Sequence, residues 1–201
     1  MLSQDPIAPK FQFSKTIQLY GDRAGGQGNF DFAGLAELQT MKFVLLIGNL
    51  HSLEQPTDWR RFLRLLHLAK RLHKPVLLWN LLLTQNESLE NLTSLELGTA
   101  IKATKLQLLK LPQPIISVYD DVFGLDNEIV KVGWGDGTII VLSDEEDALR
   151  EQIMEGNNLH IVSKPWNLPK KISDLLDEYS RTNISELIAK RLERVQGTEN
   201  S

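Results

Sequence analysis

Short, nearly unbroken apolar runs alternate along this chain with longer stretches in which apolar residues recur every three or four positions. KFVLLIGNL, KPVLLWNLLL and PIISVY belong to the first kind, which marks strands buried on both faces. FAGLAELQ is expected to pair with the first of them. In DWRRFLRLLHLAKRL the period lengthens. Trp59, Phe62, Leu66 and Ala69 share one face, with Leu63 and Leu72 beside it, while Arg60, Arg61, Arg64 and Arg71 point elsewhere. Asp58 is placed to cap that helix.

NESLENLTSLELGTAIKATKLQLLKL predicts a long amphipathic helix ending at Pro112. EIVKVGWGDGTIIVLSDEED predicts two short strands around a Gly135-Asp136-Gly137 turn. ALREQIMEG reads as a helix stopped by Gly156, with the acidic run Asp144 to Asp147 at its start, and NLHIVSK as a late strand. At the end, Ile172, Leu175, Leu176 and Tyr179 form one helical stripe, and Ile184, Leu187, Ile188 and Leu192 form another. Ser185 or Asn183 serves as the second helix's cap. Strand, strand, helix recurs about twice, which predicts an α/β fold of stacked ββα units. Residues 1–16 form a loose arm with Pro6 and Pro9, residues 17–165 the core, and residues 166–201 a helical segment.

Composition narrows the function classes. The 201 residues are 42% hydrophobic, enough for one domain with a proper core. Cysteine is absent, which removes disulfides and thiolate metal sites. A net charge of −4 gives no reason to expect nucleic acid. No apolar run is long enough to span a bilayer, and MLSQDPIAPK lacks a signal-peptide pattern, so a cytoplasmic protein is expected.

Candidate chemistry is sparse. GDRAGGQGNF carries Gly21, Gly25, Gly26 and Gly28 but lacks the lysine and hydroxyl ending of a phosphate-binding P-loop, so it reads as a flexible connection between strands. His51, His67, His73 and His160 are scattered; His67 and His73, six apart on one helix, fall on different faces and make no metal pair. Neither Ser117 nor Ser143 stands in a nucleophile-elbow setting. Asp120 and Asp121 are adjacent in an extended segment and point to opposite sides, which disfavours an acid–base pair. No catalytic or metal-ligating residue is assigned.

IQLYGDRAGGQGNFDFAGLAELQTMKFVLLIGNL resembles the opening of the crotonase-like (ClpP/crotonase) core in the carboxyltransferase alpha subunit of bacterial acetyl-CoA carboxylase. Gly21, Asp22, Arg23, Gly34, Leu35, Ile47 and Gly48 match its motifs in order. Arg64, Leu65, Leu66, Ala69 and Pro75 match the family's next helix and strand, and the resemblance runs from Ile17 to about Asp144. It implies a crotonase-like fold with helical C-terminal closure, and homo-oligomers in which terminal helices reach a neighbouring subunit.

Two departures bear on activity. Where the family has Ile-Asp-Thr-Pro-Gly-Ala-Tyr, this chain has Trp79 to Gln85 without proline or glycine; where the family has a glycine-rich loop that polarises a carbonyl, it has Tyr119-Asp120-Asp121-Val122-Phe123-Gly124-Leu125-Asp126. An oxyanion hole needs converging N–H groups from a tightly turned backbone that glycine adopts most readily. Trp79, Asn80, Asp121, Phe123 and Gly124 are therefore read as a remnant ligand pocket. The resemblance implies a non-catalytic homologue, a pseudoenzyme without cofactor, that binds itself or acetyl-CoA carboxylase subunits and tunes fatty-acid synthesis. The alternative is an active biotin- or acyl-CoA-dependent carboxyltransferase-like enzyme with a displaced site.

Overall fold

The structure, a computed structural model, describes residues 13–21, 26, 28–49, 53–81, 95–120, 135–141, 159–162 and 164–199. These form one mixed sheet of seven strands in sequential order: β1 Lys15–Gln18, β2 Phe32–Leu38, β3 Met41–Ile47, β4 Val76–Trp79, β5 Ile115–Tyr119, β6 Gly137–Val141 and β7 Leu159–Val162. β1, β2 and β3 are antiparallel; β3 to β7 run parallel. The helices are α1 Pro56–Leu72, α2 Leu95–Lys110, α3 Leu168–Arg181 and α4 Ile184–Glu199. The α/β class expected from the pattern holds, and β2, β3 and α1 make a ββα unit.

Burial on both faces explains the unbroken apolar strands. Val44, Leu46, Val76, Leu78 and Ile115 meet Phe62, Leu66 and Ala69 of α1 and Leu97 and Leu108 of α2 on one face. Leu45, Leu77, Trp79, Ile116, Val118 and Ile139 meet Ile172, Leu175, Leu176 and Tyr179 of α3 on the other. Each large side chain so placed contributes roughly 1.5–3 kcal/mol.

Asp58 caps α1 from within, as the carboxylate half of a capping box, while Gln55 holds the N-cap position itself. Asp58 sits in the first turn, fully buried, and accepts the N–H groups of Gln55 at 3.1 Å and Asn29 at 2.6 Å. Two local expectations need correction. Arg61 does not point to solvent: it is 4% exposed, donates twice to the Leu19 carbonyl (3.1 and 2.6 Å) and lies over the Phe30 ring. Arg64 donates to the Gly21 carbonyl at 2.9 Å. Thus α1 side chains hold both flanks of the glycine-rich segment. Burial pulls the Arg61 guanidinium below its ordinary value, with Asp58 and Tyr20 acting the other way.

The second correction concerns Gly135-Asp136-Gly137, which is not a hairpin turn. Asp136 precedes β6, a strand parallel to β5, and its N–H donates to the Ile115 carbonyl at 2.6 Å. A Cβ on Gly135 would meet the Gly137 carbonyl at 2.7 Å and the β5 backbone at 2.9 Å, and one on Gly137 would press the Tyr179 ring at 3.0 Å. The glycines are there for close packing. The strand expected before this motif, the acidic run and the ALREQIMEG helix lie outside the described residues.

The C-terminal helices close the fold as expected. Asn183 is the cap of α4, accepting the Ser185 N–H at 2.9 Å through its side chain. The α3 stripe is wholly buried; in the α4 stripe Leu187 is buried while Ile184 and Leu192 reach solvent.

Candidate functional site at the carboxyl edge of the sheet

In open parallel sheets ligands bind beyond the carboxyl ends of the strands. Here that edge is formed by the residues after β3, β4 and β5: Gly48-Asn49, Asn80-Leu81 and Asp120. The ladder continues one step past each strand. Gly48 N–H donates to the Trp79 carbonyl at 2.9 Å, and Asn80 N–H to the Val118 carbonyl at 2.8 Å.

β4 then stops, short of the LLL run read as its continuation. Asn80 has φ of 48°, a left-handed conformation that asparagine tolerates better than other side chains. This turns its carboxamide toward β5. Nδ2 donates to Asp120 Oδ1 at 2.6 Å, and Oδ1 accepts the Asp120 N–H at 3.0 Å. The two strand ends are clasped reciprocally. Alongside, Asn49 Nδ2 donates to Asp31 Oδ1 at 3.2 Å, a second carboxamide–carboxylate pair on the same edge.

Beneath the clasp the site is apolar and filled. Trp79 is 1% exposed and packs edge-on to Phe13 at 6.2 Å between ring centroids. It is a core residue. Asn80 does stand at the edge. Asp121, Phe123 and Gly124 lie outside the described residues. Tyr119 turns inward, its hydroxyl donating to the Leu81 carbonyl at 3.1 Å, and burial pushes its pKa up to about 12, so it stays neutral at physiological pH.

The other residues weighed from sequence divide simply. His67 and His73 are exposed and apart, Ser117 is buried in β5, and Trp59 is a core residue bonded through its indole N–H to the Leu53 carbonyl at 2.6 Å. His51, Ser143 and Trp134 lie outside the described residues. No cluster able to hold a metal occurs among the described residues, and none of their helices is long and apolar enough to cross a membrane.

Sequence reasoning missed a second polar centre at the opposite end of the parallel strands. Arg191 of α4 is 3% exposed and spends every guanidinium donor: on Asp136 Oδ1 (2.8 Å) and Oδ2 (2.5 Å), and on the carbonyls of Leu108 (3.1 Å), Leu111 (2.5 Å) and Gln113 (2.9 Å). Asp136 Oδ2 also accepts the Ile115 N–H at 2.8 Å. A signal was available, since Arg191 follows Leu187 by four residues and so lies within the apolar face of α4. With all donors satisfied by protein, this centre is structural.

No protein-family model matches the sequence, and no curated protein matches it. Solved structures do. The chain is similar to an enoyl-CoA hydratase/isomerase family protein from Pseudomonas syringae, with 12% identity, a TM-score of 0.48, and 82% of this chain and 90% of that one covered. It is also similar to an enoyl-CoA hydratase/carnithine racemase from Magnetospirillum magneticum, with 8% identity, a TM-score of 0.46, and coverage of 84% and 82%.

Proposed function

We propose that this chain is a non-catalytic, crotonase-like relative of the carboxyltransferase alpha subunit of acetyl-CoA carboxylase. It acts in the cytoplasm by binding a second copy of itself or carboxylase subunits. The motif order from Gly21 to Pro75 supports the relationship. One observation carries the loss of catalysis. At the end of β5, where the resemblance puts the carbonyl-polarising loop, the Asp120 N–H already bonds the Asn80 side chain, and at the end of β4, where it puts a wall of the site, the Asn80 N–H bonds Val118.

A carbonyl oxygen gains from an N–H only if that N–H awaits it; losing one donor costs about 10²–10³ in rate. Asp120 adds a carboxylate where negative charge would develop, and Asp121, Phe123 and Gly124 follow it. Cofactor-free binding is the reading this favours.

The test supplies purified protein with a biotin carboxyl donor, acetyl-CoA and the carboxyltransferase beta subunit. No malonyl-CoA should form, while size-exclusion chromatography should show co-elution with carboxylase subunits or a homo-oligomer. Malonyl-CoA at enzyme-like rates refutes the non-catalytic reading. A monomer that ignores every carboxylase subunit refutes the binding one.

A further inference from the structure

At the carboxyl end of β7 lies a groove of about 580 Å³ between that strand and α3. Ile161 and Val162 form its floor, and Lys164, Asn167, Lys170 and Lys171 surround it, with Asp174 the one acidic lining residue among the described residues. We propose that this groove binds a phosphate-bearing anion.

Charge is the first argument. The chain as a whole carries −4, yet among the described residues lining this one concavity three are lysines and one is an aspartate. Solvated surface charge normally mixes signs, and screening at physiological salt limits each charge to about 8 Å. Three cations round one groove therefore act on an anion inside it and on little beyond. The aliphatic floor lowers the local dielectric and strengthens that attraction.

Geometry is the second. Lys164 comes from the β7 connection and Lys170 and Lys171 from the first turn of α3, so two separate elements supply the lysines of the groove. Lys164 is steadied by Trp166, with Nζ 5.6 Å from the ring centroid. Asn167 makes no side-chain cap for α3 and also lines the groove. Lysines serve phosphate as point charges, and a multiply charged oxyanion uses three of them better than a single carboxylate does.

Trp166 is the third. This residue is 72% exposed, in a short 3-10 turn, Pro165–Asn167, between the lining residues Lys164 and Asn167. A tryptophan so open offers an apolar platform to the organic portion of a phosphate ester. Three lysines match one or two phosphates, whereas a nucleic-acid track needs cations along a longer path. This reading stands whether or not the chain takes part in carboxylation.

The experiment is calorimetric titration of the full chain with inorganic pyrophosphate. In parallel, sedimentation uses phosphatidylcholine vesicles with and without a phosphatidylinositol phosphate. Saturable pyrophosphate binding that weakens with salt is expected, and Lys170→Gln/Lys171→Gln should weaken it at least about tenfold with an unchanged melting temperature. Lys42→Gln, an exposed lysine on β3, should change nothing. Vesicle binding alone, abolished by the double substitution, upholds the site and assigns its phosphate to a lipid headgroup. Absence of both signals, or equal weakening by Lys42→Gln, overturns it.

Discussion

Arg191 and Asp136, 55 positions apart, face each other as a two-pronged ion pair sealed from water, with Nε 2.8 Å from Oδ1 and Nη2 2.5 Å from Oδ2. The same guanidinium gathers three carbonyls at the end of α2 and the entry to β5. One side chain thus ties α4 to α2, β5 and β6. Removing one partner of a buried pair strands the other charge, at about 3–5 kcal/mol. Asp136→Ala and Arg191→Ala should each lose that much in urea unfolding. Arg191→Met/Asp136→Leu should lose less than the two single losses added together. Additive losses would mean that the two charges act independently.

Gly34 and Gly98 look alike in sequence and should respond oppositely to alanine. A Cβ on Gly34 would run into the Ile17 carbonyl where β2 meets β1, whereas one on Gly98 in α2 meets nothing. Gly34→Ala is expected to cost about 1–3 kcal/mol and to speed amide exchange in β1. Gly98→Ala should stabilise by about 0.5–1 kcal/mol. Thermal unfolding decides both, and a harmless Gly34→Ala would contradict the close strand approach.

The strands were the legible part of this fold, because a strand buried on both faces must be apolar at each position. β3, β4 and β5 therefore announced themselves. Helix α1 did so through its period, but its Arg61 did not. An arginine reads as a solvent residue until its partner is known, and the Leu19 carbonyl lies 42 positions away. Arg191 was hidden for the same reason. Asn80 was misread differently: nothing in WNLLL distinguishes a strand that continues from one that stops at a left-handed asparagine. At the candidate site, the resemblance pointed to the carboxyl edge, where Asn80 and Asp120 lie. The filling of that edge depended on side-chain pairings across strands, which periodicity does not encode.

Tyr119 should make the protein sensitive to alkali. Burial raises its pKa from 10.0 to about 12, so the folded state keeps a proton that the unfolded chain releases. The sign follows: stability from this group is fully present below pH 10, and is lost as pH rises from there toward about 12. The loss approaches 2–3 kcal/mol, at about 1.4 per unit. Tyr119→Phe should remove this alkaline loss while costing about 1 kcal/mol at neutral pH for the bond to the Leu81 carbonyl. Denaturant midpoints across pH 9 to 12 test it, and parallel curves for the two proteins would contradict the buried phenol as the cause.

The Asn80–Asp120 clasp makes a direct prediction about the carboxyl edge. Asn80 both bears a left-handed backbone and supplies two hydrogen bonds, and two substitutions separate those contributions. Asn80→Gly keeps the backbone comfortable and loses the bonds, whereas Asn80→Ala loses the bonds and adds a left-handed penalty of about 1–2 kcal/mol. The difference between their unfolding free energies should equal that penalty. In Asn80→Gly the Asp120 amide loses its acceptor, so its hydrogen exchange should quicken while the β5 amides stay protected. A double-mutant cycle of Asn80→Gly with Asp120→Ala should give a coupling within about 0.5–3 kcal/mol. If Asp120 exchanges as slowly in Asn80→Gly as in the native chain, its N–H is held by some other group. The clasp would then no longer support the proposal that this edge has no N–H to offer a substrate carbonyl.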